Sequence, residues 1–224
     1  MNKVNFDEYA RQYEALKNVQ TRLFDGDSTY FARYKVELMK SVAGAKPHAI
    51  MDFGCGIGLS LPHLRNAFPE ADLVGCDPSE GSLSVARKRE VECRLDVPDG
   101  IEPTPYFDLV LATCVFHHIQ PIERQAALKY CLERLKPGGK IFVFEHNPYN
   151  PVTRHFVNTC PFDTDAILLS RAETAAQMRE AGFRAGPSAY CLFFPKALSF
   201  FRSFERSLGW LPLGGQYFVS GIRP

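Results

Sequence analysis

Three glycines at alternate positions follow the first strongly apolar segment of the chain. His48–Phe53 has the pattern of a short buried strand, and Gly54, Gly56 and Gly58 come directly after it. Because glycine has no Cβ atom, such a run lets the backbone turn sharply and approach a ligand closely. The helix expected from Leu59 would point its free N–H groups at the same place. The sequence therefore predicts an α/β fold with a ligand site at the end of its first strand.

Strands and helices alternate regularly around this glycine run. Strand-like segments are predicted at 73–76, 91–95, 107–112 and 140–145, with helical segments between them at 59–68, 81–89 and 122–135. Such alternation is typical of a parallel sheet that helices cover on both faces. After Glu145 the pattern becomes a long connection, a helix at 172–181, a strand at 185–194, a helix at 196–208 and a last strand at 216–222.

The order of these segments predicts one main domain with one extension. We divide the 224 residues into an N-terminal helical extension or lid at 1–44 and an α/β domain at 45–224. An insertion at 195–215 separates the last two strands of that domain. A chain of this length can bury a full core without disulfides or a structural metal.

Charge and cysteine usage exclude several classes of function. Twenty-six Lys and Arg residues oppose 25 Asp and Glu residues, so the net charge of +1 provides no global field for a nucleic-acid backbone. The N-terminus lacks the apolar core of a signal peptide. The seven cysteines are dispersed, with no Cys-x-x-Cys pair and no histidine at zinc spacing. We expect a cytoplasmic protein without bound metal, whose cysteines fill its core.

Acidic residues around the glycine run indicate the kind of ligand. Asp52 precedes the loop, where a carboxylate would repel a pyrophosphate but suits an ammonium or sulfonium group. Leu59 stands where the dinucleotide fingerprint has its third glycine. Asp77 ends the second strand, where it can accept hydrogen bonds from both ribose hydroxyls. The site therefore suits a nucleoside with a cationic tail and no phosphate, a description that S-adenosylmethionine fits.

With these motifs, the chain resembles the class I S-adenosylmethionine-dependent methyltransferases over residues 45–146. Asp52 and the three glycines match the first motif of the family, Asp77 its ribose-binding acid and Asp96 its adenine-contacting acid. The segments 107–118 and 135–140 match the family around its fourth strand and before its fifth. The resemblance implies a Rossmann-like, doubly wound sheet of seven strands in the order 3-2-1-4-5-7-6, with strand 7 antiparallel. It also implies cofactor contacts from Asp52, Gly54, Cys55, Gly56, Gly58, Asp77, Pro78, Asp96, Val97 and Thr113.

The resemblance further implies methyl transfer, with S-adenosylhomocysteine as the product. Transfer from a sulfonium depends largely on holding the acceptor in line with the methyl group. A hydroxyl acceptor also needs a base, and the candidates are His117 and His118 after the fourth strand and His146 after the fifth. Each of them can instead be a structural histidine of its loop.

Aromatic residues outside the core motifs are candidates for the acceptor site. They are Tyr9 and Tyr13 of the predicted lid, Tyr149 after the fifth strand, and Phe200 and Phe204 of the insertion. The helix at 196–208 has an apolar stripe opposite basic residues, so it either covers a pocket or lies at a membrane surface. We expect a small, apolar or lipid-linked acceptor, methylated at oxygen or carbon. Two alternatives remain: an NAD(P)-dependent oxidoreductase and a catalytically silent S-adenosylmethionine-binding protein.

Overall fold

Seven strands form a single mixed sheet. The computed structural model describes Asp7, residues 29–44 and residues 46–224, with only the backbone of Phe162. The strands are β1 (Ala49–Phe53), β2 (Asp72–Cys76), β3 (Arg94–Asp96), β4 (Phe107–Thr113), β5 (Leu135–His146), β6 (Arg184–Cys191) and β7 (Gln216–Ile222). Their order is β3-β2-β1-β4-β5-β7-β6, and β7 runs antiparallel to both of its neighbours. The predicted fold class is confirmed.

Helices lie on both faces of this sheet. The α-helices are α1 (Tyr30–Ala43), α2 (Leu61–Ala67), α3 (Glu80–Arg87), α4 (Arg124–Arg134), α5 (Pro151–Thr159) and α6 (Arg171–Glu180). Short 3-10 segments occupy Pro98–Gly100, Phe116–His118, Pro161–Asp163 and Lys196–Leu208. Within the described ranges, no helix combines the length and the apolar character needed to cross a membrane.

Two apolar layers hold the sheet between the helices. Successive residues of a buried strand point to opposite faces, so neighbouring positions of β1 contribute to different layers. Ile50 packs in the layer with α1 and α2, and Met51 packs in the layer with α4 and α6. Val36 and Met39 place α1 in the first layer, so this part of the predicted extension packs against the sheet.

One helix lies where the sequence predicts only a connection. α5 begins at Pro151, and the side chain of Asn150 caps it by accepting a hydrogen bond from the Thr153 N–H at 3.0 Å. Asparagine at the cap and proline at the first helical position are both start signals, so the sequence did contain the information. The helix matters for the site because it brings residues 161–165 back to the end of β4.

The insertion presents its apolar side chains to solvent. Glu205 is the buried member of the segment Lys196–Leu208, and its carboxylate accepts hydrogen bonds from Tyr34 Oη at 2.6 Å and from the Phe193 N–H at 3.1 Å. Phe200 and Phe204 are 68% and 59% exposed. The apolar stripe therefore does not pack on the protein's own core, which was one of the two arrangements that the sequence left open.

Candidate active site

A cavity of about 270 Å³ opens at the carboxyl ends of β1, β2 and β4. Ligands of open α/β sheets bind at this edge because the loops that follow parallel strands meet there. Six predicted cofactor residues line it: Gly54, Cys55, Gly56, Asp77, Pro78 and Thr113. The other four lie outside the lining: Asp52, Gly58, Asp96 and Val97.

The glycine loop adopts a conformation that other residues rarely accept. Gly54, Gly56 and Gly58 all have positive φ angles, of 71°, 53° and 77°. A Cβ atom on Gly54 would lie 2.5 Å from a methyl group of Val115, whereas one on Gly56 would meet no atom of the described residues within 4 Å. Gly54 is therefore required for packing against the protein, and Gly56 leaves open space that a ligand can occupy.

Asp52 is a buried carboxylate at the end of β1. It is 1% exposed, and within the described part of the chain neither carboxylate oxygen has a hydrogen-bond partner. Burial, reinforced by the nearby Asp77 carboxylate, raises the pKa of Asp52 to about 7, although the Lys35 ammonium opposes this shift. A buried carboxylate without partners fits a ligand that carries positive charge, as S-adenosylmethionine does.

Asp77 ties the glycine loop to the end of β2. One carboxylate oxygen accepts from the Gly56 N–H at 2.8 Å, and the other accepts from the Ser79 N–H at 2.9 Å. Asp7, from the N-terminal extension, accepts from Ser79 Oγ at 2.6 Å and from the Gly81 N–H at 2.8 Å. The extension therefore reaches the start of α3, beside the cavity. Predicted lid residues Tyr9 and Tyr13 lie outside the described residues.

Comparison with known proteins agrees with this geometry. Residues 51–141, which contain the glycine loop and Asp77, match the family described as a methyltransferase domain. Residues 51–141 thus match a methyltransferase domain, and the chain is similar to the class I S-adenosylmethionine-dependent methyltransferases. This match favours the methyltransferase hypothesis over the NAD(P)-dependent oxidoreductase.

Individual relatives are similar at low to moderate identity. Trans-aconitate 2-methyltransferase of an Acidovorax species is 34% identical over 54% of this chain and 50% of its own length. Malonyl-[acyl-carrier protein] O-methyltransferase of Priestia megaterium is 23% identical over 91% of this chain and 79% of its own length. The chain thus spans about half the length of the first of these curated relatives. A methyltransferase structure from Thermotoga maritima shares the fold, with 19% identity, 98% coverage of both chains and a TM-score of 0.69.

The three candidate histidines have different environments. His117 is 1% exposed, and its Nδ1 lies 2.5 Å from Glu145 Oε2. His118 lines the cavity, with its Nε2 3.3 Å from Asp163 Oδ1. His146 is partly buried, with its Nδ1 3.4 Å from Gln216 Nε2. His118 and His146 therefore remain candidates for a base, whereas the burial of His117 keeps it from the cavity.

Cys114 is a functional candidate that the sequence analysis assigned to core filling. It lines the cavity in a left-handed conformation, with φ at 58°. Its Sγ accepts a hydrogen bond from Lys35 Nζ at 3.2 Å. Burial alone would raise the pKa of this thiol, but the Lys35 ammonium and a hydrogen bond with His146 lower it to about 5. The spacing of residues along the sequence could not reveal this environment of Cys114, because Lys35 and His146 lie in segments far from it along the chain.

The remaining candidates do not reach the cavity. Tyr149 is 64% exposed, and the two phenylalanines of the insertion are exposed as described above. Asp96 forms an ion pair with Arg94 at 2.7 Å and accepts a hydrogen bond from the Val97 N–H at 2.9 Å. Pro98, two residues after Asp96, does line the cavity. The roles predicted for Asp96, Val97 and Tyr149 stay predictions.

Proposed function

We propose that this protein is an enzyme that transfers the methyl group of S-adenosylmethionine to an oxygen or carbon atom of a small, apolar or lipid-linked acceptor. The observation that carries the proposal is the cavity between the glycine loop and the end of β4, in a chain that matches a methyltransferase domain. The same proposal places the enzyme in the cytoplasm.

The residues that would hold the cofactor form the glycine loop or lie directly beside it. The open face of Gly56 gives room for a ligand against the backbone, and the Asp77 carboxylate can bind ribose hydroxyls. The buried Asp52 carboxylate balances the positive charge of the ligand. When bound, the cofactor supplies an electrophilic methyl group on a sulfonium. The chain's own contribution is then to hold the acceptor atom in line with that group and to exclude water.

A hydroxyl acceptor must also lose its proton during transfer. His118 at the cavity wall and His146 beside Cys114 carry imidazole groups near this edge and are the candidates to accept it. Replacement of the responsible histidine by alanine should lower kcat by about 100-fold or more, with little change in cofactor affinity. Replacement of the other histidine should leave the rate within a few-fold of the wild type.

Relatives and surface chemistry support an apolar or lipid-linked acceptor and methylation at oxygen. Two of the relatives, from Priestia megaterium and Bradyrhizobium diazoefficiens, are named as O-methyltransferases, for malonyl-[acyl-carrier protein] and in ubiquinone biosynthesis. Phe200, Phe204 and Trp210 expose aromatic rings on the segment that follows β6. Exposed aromatic residues on one short segment are typical of surfaces that contact lipid or another apolar partner. We extend the proposal to peripheral membrane contact through 196–208.

The test is a partition assay with methyl-labelled S-adenosylmethionine and a whole-cell extract of the source organism. Label in the organic phase supports the apolar acceptor, and label only in the aqueous phase contradicts it. Gly56→Val should abolish transfer, because its side chain would enter the cavity. Gly138→Val is the matched control, since Gly138 also has positive φ and open space but lies at the other end of the sheet.

Two further measurements separate the parts of the proposal. If the protein binds S-adenosylhomocysteine in calorimetry but transfers no label to any phase, it is a silent binding protein. Sedimentation with anionic vesicles tests the membrane contact. The double variant Phe200→Ser, Phe204→Ser should lose vesicle binding while it keeps cofactor binding, and equal sedimentation of variant and wild type would refute that contact.

A further inference from the structure

Two histidines and one aspartate converge beside the cofactor cavity. His117 and His118 follow β4, and Asp163 ends the 3-10 turn after α5. Asp163 Oδ1 lies 3.7 Å from His117 Nε2 and 3.3 Å from His118 Nε2. The three donor atoms all lie within 4.8 Å of one another. Neighbouring ligands of a tetrahedral zinc ion are about 3.4 Å apart when each bond is about 2.1 Å long. The spacing is therefore close to that of ligands around a single ion.

The orientation of His117 is set by a second layer of contacts. Its Nδ1 lies 2.5 Å from Glu145 Oε2. The other oxygen of Glu145 accepts from the backbone N–H groups of Val115 at 3.0 Å and Phe116 at 2.7 Å. Glu145 is thus held in place and directs His117 Nε2 toward Asp163. A carboxylate on the far nitrogen is the usual support of a histidine that binds a metal.

The inward nitrogen of His117 has no hydrogen-bond partner among the residues that the structure describes. His117 is 1% exposed, and its Nε2 is buried without a hydrogen bond. The distance of 3.7 Å to Asp163 Oδ1 is too long for one. A buried nitrogen without a partner costs free energy of folding. We therefore expect this nitrogen either to carry a proton that it shares with Asp163 in an ion pair or to bind a metal ion.

The buried charge around this group also favours a cation. The carboxyl side chains of Glu145, Asp163 and Asp165 are 1%, 9% and 6% exposed. The guanidinium of Arg124 lies near Glu145, but its hydrogen bonds go to the carbonyl oxygens of Ile119 at 2.9 Å and Ile167 at 2.7 Å. Buried carboxylates need compensating charge, and one divalent ion would offset two of the three.

We propose that His117, His118 and Asp163 bind one divalent first-row transition ion. Zn²⁺ represents this class of ion in the test below. Imidazole donors suit this class of ion, and three protein ligands leave a coordination position open. Because His118 also lines the cavity, the ion would lie at the cavity wall. The role of base in methyl transfer then falls to His146. Metal binding itself does not depend on the proposed function, and it departs from the metal-free protein that the sequence predicts.

The test is a titration of chelator-treated protein with ZnCl₂, followed by competition with a chromophoric chelator. We expect one Zn²⁺ per chain with a Kd in the micromolar range or tighter. Asp163→Asn, which keeps the shape of the side chain, should weaken binding by at least about 10-fold. Asp72→Asn is the matched control, because Asp72 is an exposed aspartate at the opposite end of the sheet. It should bind as the wild type does.

Two results of the binding titration would overturn the proposal. One is the absence of Zn²⁺ binding by the wild type, which would leave the group as an ion-pair cluster held by protons. The other is equal binding by Asp163→Asn, which would place the ion elsewhere. Substitution of Co²⁺ for Zn²⁺ in the wild type tests the ligand set without relying on that variant, because thiolate ligands give strong near-ultraviolet absorption that histidine and carboxylate ligands lack. An intense thiolate band in the wild type would also contradict this ligand set. Cofactor binding is measured separately, so failure here leaves the proposed function intact.

Discussion

The two halves of the candidate site differ in how the chain builds them. The cofactor half consists of the glycine loop and the ends of β1 and β2, all within residues 52–79. The β4–β5 half combines the end of β4, the end of β5, the turn after α5 and Lys35 of α1. Both halves meet in one cavity because parallel strands end at the same edge of the sheet.

The two halves differ in their electrostatics as well as in how far apart their residues lie along the sequence. In the cofactor half, burial raises the pKa of both Asp52 and Asp77. The Asp77 carboxylate adds to the shift of Asp52, and the Asp7 carboxylate adds to the shift of Asp77. In the β4–β5 half, burial opposes ionisation, but the neighbours of Cys114 and Glu145 overcome it and lower their pKa values to about 5 and about 2. The cofactor half is therefore arranged for a cationic ligand, whereas the other half contains the Lys35 ammonium, which stabilises the Cys114 thiolate.

The largest effect is expected from Gly56→Val. The added side chain would occupy the open space in front of the loop, so binding of S-adenosylhomocysteine should fall below detection in calorimetry. The positive φ strains any side chain at this position, but no atom of the described residues lies within 4 Å of the new Cβ. Gly138→Val, with the same kind of strain, is the control for the loss of stability. Gly54→Val should instead lower the free energy of unfolding, because its Cβ would collide with Val115. If Gly56→Val binds the cofactor normally, the glycine loop does not form part of the cofactor site.

Asp52→Asn should change the pH dependence of stability. The pKa of Asp52 rises from 3.8 in the unfolded chain to about 7 in the folded one, so the wild type loses stability as pH rises through this range. The variant lacks this loss, and at pH 8 its free energy of unfolding should exceed that of the wild type by up to about 4 kcal/mol. Urea denaturation at pH 4 and pH 8 measures the effect, with exposed Asp99→Asn as the control. Parallel stability curves for variant and wild type would contradict the assignment.

Asp77→Ala should weaken cofactor binding by about 1–3 kcal/mol through lost hydrogen bonds. It removes the acceptor for the Gly56 N–H as well as the predicted ribose contact. Calorimetry with S-adenosylhomocysteine gives the change in Kd. An unchanged Kd would show that the β2 end does not contact the ligand.

Lys35→Met should slow the alkylation of Cys114 at neutral pH. Without the ammonium at 3.2 Å, the pKa of the thiol should rise and the reactive thiolate become scarcer. We expect the rate of Cys114 alkylation by iodoacetamide to fall by about 10-fold. Mass spectrometry of the peptide that contains Cys114 measures this rate. Lys40→Met, on the same helix but exposed, is the control. Equal alkylation rates in Lys35→Met and the wild type would mean that Lys35 does not stabilise the Cys114 thiolate.

Local motifs made the cofactor half predictable. The strand order that the resemblance implied is confirmed. Spacing along one β-α-β segment placed the glycine loop directly after β1 and Asp77 directly after β2, where the structure has them. The helix α5 was missed even though Asn150 and Pro151 are ordinary start signals. The exposed position of Phe200 and Phe204 was left open, because a helical stripe does not say which face meets the core.

The β4–β5 half required the tertiary structure. The sequence determined that His117 and His118 follow β4 and that Glu145 and His146 end β5, since each position depends on its own strand. It could not determine that Asp163 and Lys35 meet them, because those contacts depend on how α5 returns to the sheet and how α1 packs against it. Hydrophobic patterning specifies which side of an element is buried, whereas the partners of a buried charge depend on the packing of elements that are distant along the chain.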